Sequence, residues 1–306
     1  MIIRLSYGTA VKMRLKKGKL MAEPKTAYIM VGERCFSNCS FCAQARDRRK
    51  EGYLSRILWI PYPVEILKKI KNFSRICFQT LDYPGVVDDL IYLKSLLPDI
   101  PVSVSIVPIE EKDMLLLADW VDTISFALDA ANKEIFDEVK GYKVGNRFTW
   151  EMTWGALRKA LKIFKKVNTH LIVGLGESDE DLYKVMKELR DLNISVGLFS
   201  YTPLFGGSYP DVGRYRAIQL MRYLLYQGHD NFASFDGGKV VEIKIPEKAK
   251  RTVERGIPFM TSGCPGCNRP FYNERPGGPI YNFPYALGEK ERSLAMKQIR
   301  SYLRKI

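Results

Sequence analysis

Apolar residues recur along this chain at two spacings that take turns. Short runs rich in β-branched and aromatic residues, at 27–31, 75–79, 101–107, 123–128, 169–173 and 194–200, read as strands. Between them, apolar residues three and four apart read as helices. Val64, Ile66, Leu67 and Ile70 set that spacing over 63–71; further helices follow at 86–97, stopped by Pro98, and at 109–120, 150–166 and 180–192. Strands separated by helices imply right-handed crossovers and a parallel sheet. Six such units without a boundary predict an α/β fold, a complete or partial (β/α) barrel of TIM type with its chemistry at the carboxyl ends of the strands.

Regularity fades at both ends. Residues 1–25 are basic without clear periodicity and read as an N-terminal extension packed near the barrel mouth; 26–256 form the barrel and 257–306 a C-terminal loop and cap. After the sixth strand come a helix at 212–226, a seventh strand at 232–235, a turn at Gly237-Gly238 and a short basic helix at 246–255. Residues 260–284 then hold five prolines, four glycines and three asparagines. That composition excludes a regular element, so the stretch reads as an ordered loop closing over the barrel, with the last helix, 288–304, as a cap.

No apolar run approaches the roughly 18 residues a membrane span requires, and the first residues lack the continuous apolar core of a secretory signal, so a cytoplasmic location is expected. The formal charge of +14 asks for a partner. Arg46-Asp47-Arg48-Arg49-Lys50 and Arg14-Leu15-Lys16-Lys17 contribute, with Lys162, Lys165 and Lys166 on a predicted helix. Such a surface attracts nucleic acid or an acidic protein domain, although solvated lysines scattered over the outside give the same sum. Aromatics do not alternate with the basic residues as a single-strand groove requires.

Six cysteines in that compartment point to metal or catalytic chemistry rather than disulfides. Cys35, Cys39 and Cys42 lie in one short loop after the first strand, where three sulfurs can turn onto one metallic object. Thiolates favour zinc or iron-sulfur clusters. A structural zinc wants a fourth Cys or His nearby, and the only histidines are His170 and His229. Three cysteines, with Phe41 before the last, suit a four-iron cluster with one iron left open. Cys264 and Cys267 form a second, weaker signal in the C-terminal loop. A zinc site from Cys39, Cys42, Cys264 and Cys267 is an alternative that leaves Cys35 unused. Cys77 lies mid-strand, where alternation puts Arg75, Cys77 and Gln79 on one face, directed inward, and Ile76 and Phe78 on the other.

The Cys-x3-Cys-x2-Cys spacing with an aromatic before the last Cys resembles the signature of the radical SAM superfamily. Cys42-Ala43-Gln44-Ala45, followed by basic residues, resembles its biotin-synthase branch. The resemblance implies a 4Fe-4S cluster on Cys35, Cys39 and Cys42 that binds S-adenosyl-L-methionine (SAM) beside Phe41 and makes a 5'-deoxyadenosyl radical. It also implies a ligand like Cys77 in the second strand, hence a second, auxiliary iron-sulfur cluster on Cys77, Cys264 and Cys267, with Ser262, Ser301 or Arg269 as a fourth ligand.

Other positions match the family's SAM contacts. Gly174, Gly176 and Glu177 resemble the fifth-strand motif against adenine, Asp129 the residue on the ribose hydroxyls, and Arg147 the arginine on the methionine carboxylate. Gln79-Thr80-Leu81-Asp82 stands where most members have Gly-Gly-Glu, and Ala127 replaces an Asn typical of biotin synthases. The C-terminal loop resembles the two-component lipoyl synthases, which implies sulfur insertion into an octanoyl chain on an acidic carrier domain, a second radical SAM subunit and an electron donor such as ferredoxin. No cysteine precedes Cys35, whereas single-chain lipoyl synthases carry an earlier cysteine cluster. A biotin-synthase-like enzyme acting on free dethiobiotin and a tRNA-modifying radical SAM enzyme are the alternative readings.

Overall fold

The computed structural model describes residues 1–303, so Arg304 of the expected last helix lies outside the described residues. In chain order the elements are β1 (Ile2–Ser6), α1 (Tyr7–Lys12), β2 (Thr26–Val31), β3 (Tyr53–Leu54), β4 (Ile57–Pro63), β5 (Arg75–Thr80), α2 (Val86–Lys94), β6 (Val102–Ser105), α3 (Glu111–Ala118) and β7 (Thr123–Ser125). They continue with α4 (Lys133–Val139), α5 (Trp150–Ile163), β8 (Lys166–Val173), α6 (Asp179–Asp191), β9 (Ser195–Ser200), α7 (Val212–Tyr226), β10 (Ala233–Asp236), β11 (Lys239–Ile243), α8 (Glu247–Glu254) and α9 (Glu289–Ile299).

Six strands run parallel in the order β2-β5-β6-β7-β8-β9, each joined to the next by helical crossovers. They form a curled half-barrel, the partial form of the expected TIM-type fold. Alternation divides its two faces. Ala27, Ile29, Ile76, Phe78, Val102, Val104 and Ile124 point outward into one core with Leu90, Leu117, Leu157 and Leu189 of the helices. Tyr28, Cys77, Gln79, Ser103, Asn168 and His170 point inward, so the apolar core lies between sheet and helices and the concave face is left for chemistry.

Several sequence expectations shift. Residues 1–25 are not merely appended: β1 pairs antiparallel with β2 on one side and β4 on the other, extending the sheet to nine strands. The pattern at 63–71 is a strand end followed by a 3-10 helix, Val64–Lys69. The helix begun at Trp150 stops at Ile163, because Phe164 turns extended and β8 starts at Lys166. The 232–235 run does not join the barrel; β10 pairs with β11 in a separate hairpin around Gly237-Gly238. α9 packs on α7.

The barrel gap is closed by the Pro/Gly-rich loop. On one side Asn268 accepts from Lys25 N at 2.9 Å and donates to Glu23 O at 2.9 Å, at the entry to β2. On the other, Ser262 Oγ accepts from Leu198 N at 3.0 Å and Arg269 reaches Leu198 O, occupying the free edge of β9. Glu274 gathers the loop by accepting from the backbone of Asn273, Tyr281 and Asn282. Buried Arg216 of α7 anchors it, donating to Ile280 O and Tyr281 O.

Candidate functional site: a cavity lined by six cysteines

A cavity of about 270 Å3 occupies the half-barrel, and all six cysteines line it. At the carboxyl end of the strands, Gly32 turns the chain out of β2 at φ +104°, and a Cβ there would meet the Tyr83 ring at 2.6 Å. The following loop is hung from neighbouring segments. Phe36 N donates to Asp82 O at 2.7 Å, Ser37 Oγ to Asp82 Oδ2 at 2.6 Å, Asn38 N to Asn146 Oδ1 at 2.6 Å and Ser40 N to Val139 O at 2.8 Å. Two sulfurs already accept hydrogen bonds, Cys39 from Asn146 Nδ2 at 3.5 Å and Cys42 from Gln44 N at 3.4 Å.

Nearer the floor, Cys77 sits on the inner face of β5 as strand alternation requires, accepting from Gln79 Nε2 at 3.0 Å. Arg75, two residues earlier on that face, donates to Pro265 O at 3.1 Å and is ion-paired with Asp122 at 2.7 Å. It thereby clamps the Cys264-Pro265-Gly266-Cys267 turn beneath Cys77. Tyr28 of β2 completes the attachment. Its hydroxyl accepts from Arg269 N at 2.8 Å and lies 3.3 Å from Cys267 Sγ.

Electrostatics sorts the thiols into two groups. Cys39 feels Cys42 and Cys35, whereas Cys264 feels Cys267 and Cys77. That grouping puts Cys35 with Cys39 and Cys42, and Cys77 with Cys264 and Cys267, and does not favour a zinc site drawn from Cys39, Cys42, Cys264 and Cys267. Burial pushes Cys42 up to about 12 and Cys77 up to about 11, and raises Cys35, Cys39 and Cys264 as well. Buried thiols of this kind ionise only against a strong local cation. Cys35, Cys39 and Cys42, supported on one loop and open to the cavity, are a donor set that fits iron in a cluster.

The remaining expected residues divide. Phe41, Gln79 and Asp129 line the cavity. Asp129, at φ +63°, is held by a buried ion pair to Lys140 at 2.6 Å. Arg147 lies outside the lining with its side chain 71% exposed, reaching back to Asp82 at 3.0 Å. Gly174, Gly176 and Glu177 also lie outside it. The Glu177 carboxylate accepts from Gly174 N and Leu175 N, both at 2.8 Å, and pairs with Arg214 of α7, which makes it a clamp for the turn after β8.

Of the three proposed fourth ligands, Ser262 and Arg269 line the cavity, while Ser301 is exposed in the 3-10 turn after α9. Arg269 lies with its guanidinium 3.9 Å from the Phe199 ring centroid, and its Nε has no partner. Sequence reasoning passed over Tyr28, Lys140 and His170. His170 was legible in principle, as an inward position on a strand whose Val167, Leu171 and Val173 face the core. His170 is half-buried against Phe199, and desolvation lowers it to about 4, so it is neutral at physiological pH.

The profile of the Radical SAM superfamily matches residues 29–189, from β2 into α6. The chain belongs to the radical SAM superfamily. Over 185 residues this radical SAM chain is 26% identical to the biotin synthase of Sulfurihydrogenibium sp. (strain YO3AOP1), covering 56% of this chain and 53% of that protein. It therefore spans about half the length of that curated relative. Two crystal structures share its fold. The FeFe-hydrogenase maturase HydG aligns at TM-score 0.54 and 12% identity over 74% of this chain and 53% of HydG. Methylornithine synthase (PylB) aligns at 0.51 and 14% over 66% of this chain and 62% of PylB. Membership of the superfamily implies a 4Fe-4S cluster and SAM. No helix among the described residues is long and apolar enough to cross a membrane.

Proposed function

We propose that this enzyme inserts sulfur, acting as one subunit of a two-component lipoyl synthase on an octanoyl chain carried by an acidic domain. The observation that carries the reading is the meeting of Cys77, Cys264 and Cys267 on one side of the cavity that Cys35, Cys39 and Cys42 line on the other. Cys35, Cys39 and Cys42 would hold the SAM-binding cluster, and Cys77, Cys264 and Cys267 an auxiliary cluster with Arg269 or Ser262 beside it. When bound, these groups supply an electron for SAM cleavage to the 5'-deoxyadenosyl radical and a sulfide for the substrate carbon.

The protein's own work is placement. Asp129, fixed by Lys140, accepts from sugar hydroxyls, and Phe41 supplies an apolar face beside the thiol loop. Tyr28 and Arg75 hold the second cysteine segment against the barrel. A second radical SAM subunit and a ferredoxin-like electron donor are the partners of this reading. The similarity to a biotin synthase favours a second one, in which a free small molecule such as dethiobiotin is the substrate.

Iron and sulfide content tests the sulfur-donor half: about eight irons per chain, falling to about four in Cys77→Ala, is expected for two four-iron clusters. Wild-type protein that takes up only about four irons sinks it. Mass spectrometry of octanoylated carrier, dethiobiotin and tRNA after incubation with reduced enzyme and SAM then separates the substrates. Added sulfur on the carrier alone is the expected result.

A further inference from the structure

Five cations without a carboxylate partner gather at one edge of the cavity mouth. Arg48, Arg49 and Lys50 follow the thiol loop, Arg56 lies in the β3–β4 turn and Arg275 in the C-terminal loop, and all five are exposed. Among the described residues none of them lies within 4.0 Å of a carboxylate oxygen. Nearby Arg46 is paired with Asp47, and Glu33 and Glu51 are the other exposed acids on these segments.

Four of the five are held, not merely scattered. Lys50 Nζ donates to Leu204 O at 2.9 Å, and Arg48 and Lys50 both stand 5.3 Å from the Phe205 ring centroid. Arg56 donates to Tyr209 Oη at 3.3 Å, and Arg275 covers the Tyr209 ring at 5.6 Å. Directly behind this collar, Ser55, Thr202 and Asn273 form a hydrogen-bonded patch of the cavity wall. Ser55 Oγ lies 3.2 Å from Thr202 Oγ1, and Asn273 Nδ2 reaches both hydroxyls.

Like charges held together repel one another, and a polyanion relieves that repulsion while being drawn in from a distance. Nucleic acid fits the collar poorly. Single strands bind by stacking bases on free aromatic faces, whereas Phe205 is covered by Arg48 and Lys50, and Tyr209 is stacked on Tyr281 with the rings 14° apart. We infer that the collar of Arg48, Arg49, Lys50, Arg56 and Arg275 is the docking surface for an acidic protein domain that presents a tethered substrate through the Ser55–Thr202–Asn273 edge of the cavity. The tethered substrate rests on the function proposed above.

The test uses the full, cluster-reconstituted chain and an octanoylated acidic carrier domain. Arg48→Glu, Arg49→Glu and Arg56→Glu together are compared with Lys16→Glu, Lys17→Glu and Lys19→Glu, an equal change of charge on the loop entering β2 at the opposite end of the barrel. Kd for the carrier at low salt rises ten-fold or more in the collar variant and less than two-fold in the control. The salt dependence seen in wild type flattens in the collar variant alone. Equal losses in both, or no loss in either, overturns the inference. So does tRNA binding tighter than carrier binding and abolished by the collar variant.

If the triple variant fails to take up iron, Arg49→Glu and Arg275→Glu are measured singly, each with a three-fold or greater loss expected and no loss overturning the assignment. Carrier that binds the collar without gaining sulfur leaves the docking surface standing and removes the proposed reaction. Carrier thiolated equally by wild type and collar variant does the reverse.

Discussion

At the scale of single residues, Tyr28 joins two halves of the site that sequence distance keeps apart. The backbone N–H of Arg269 can only donate, so the Tyr28 oxygen accepts it and the phenolic proton is left to Cys267. Tyr28→Phe removes both bonds and leaves Arg269 N buried without a partner, a cost of about 1–3 kcal/mol. A lower urea midpoint in the metal-free protein, with no loss of iron from the Cys35–Cys39–Cys42 group, is the expected outcome. His170 carries a pH signature. Its ordinary value near 6.5 falls to about 4 in the folded chain because burial disfavours the imidazolium. Between pH 6.5 and 4 the unfolded chain therefore binds more protons, so this contribution is complete above pH 6.5 and lost as the pH falls toward 4. The loss is on the order of 3 kcal/mol. Unfolding of metal-free protein followed from pH 7 to pH 4.5 should show it, and His170→Asn should flatten the curve. Strand alternation made Cys77 and Gln79 readable as inward residues; Tyr28 sits in a run apolar on both sides, TAYIMV, where periodicity does not mark which face matters.

Among elements, the C-terminal loop carries the most. Its prolines and glycines announced an irregular segment, and its aromatics an ordered one, yet neither showed that it would span the barrel gap from Lys25 to Leu198. That closure depends on partners from other elements, Arg216 foremost. Arg216→Met strips Ile280 O and Tyr281 O of a charged donor in a buried setting, and about 2–4 kcal/mol of stability should go with it. Limited proteolysis should then cut within 270–284 ahead of the barrel. Cleavage at the wild-type rate would show that the loop is held by its own turns. The turn after β8 teaches a related lesson. Gly-x-Gly followed by Glu resembled a cofactor contact, whereas the structure uses Glu177 to tie down Gly174 and Leu175 and to meet Arg214, a residue 37 positions away.

For the whole molecule, the half-barrel has two edges, and different parts of the chain cover them. β9 is covered by the C-terminal loop, while β2 is shielded by β1, which is itself paired with β4. Deleting residues 1–12 exposes the hydrogen-bonding edge of a fully buried strand. The expected result is aggregated or non-cooperatively unfolding protein; a truncated chain melting like wild type would restore the view of residues 1–25 as a mere extension. The order of strands and helices, the parallel sheet and the first three cysteines were written in local pattern, because periodicity and short-range spacing are properties of neighbouring residues. Tertiary structure alone decided that Cys77 meets Cys264 and Cys267, that Arg147 and Glu177 stand away from the cavity wall, and that Arg48, Arg56 and Arg275 share one rim. Those are contacts between segments far apart in sequence, selected by which faces the closed sheet turns toward one another, and no local pattern encodes them.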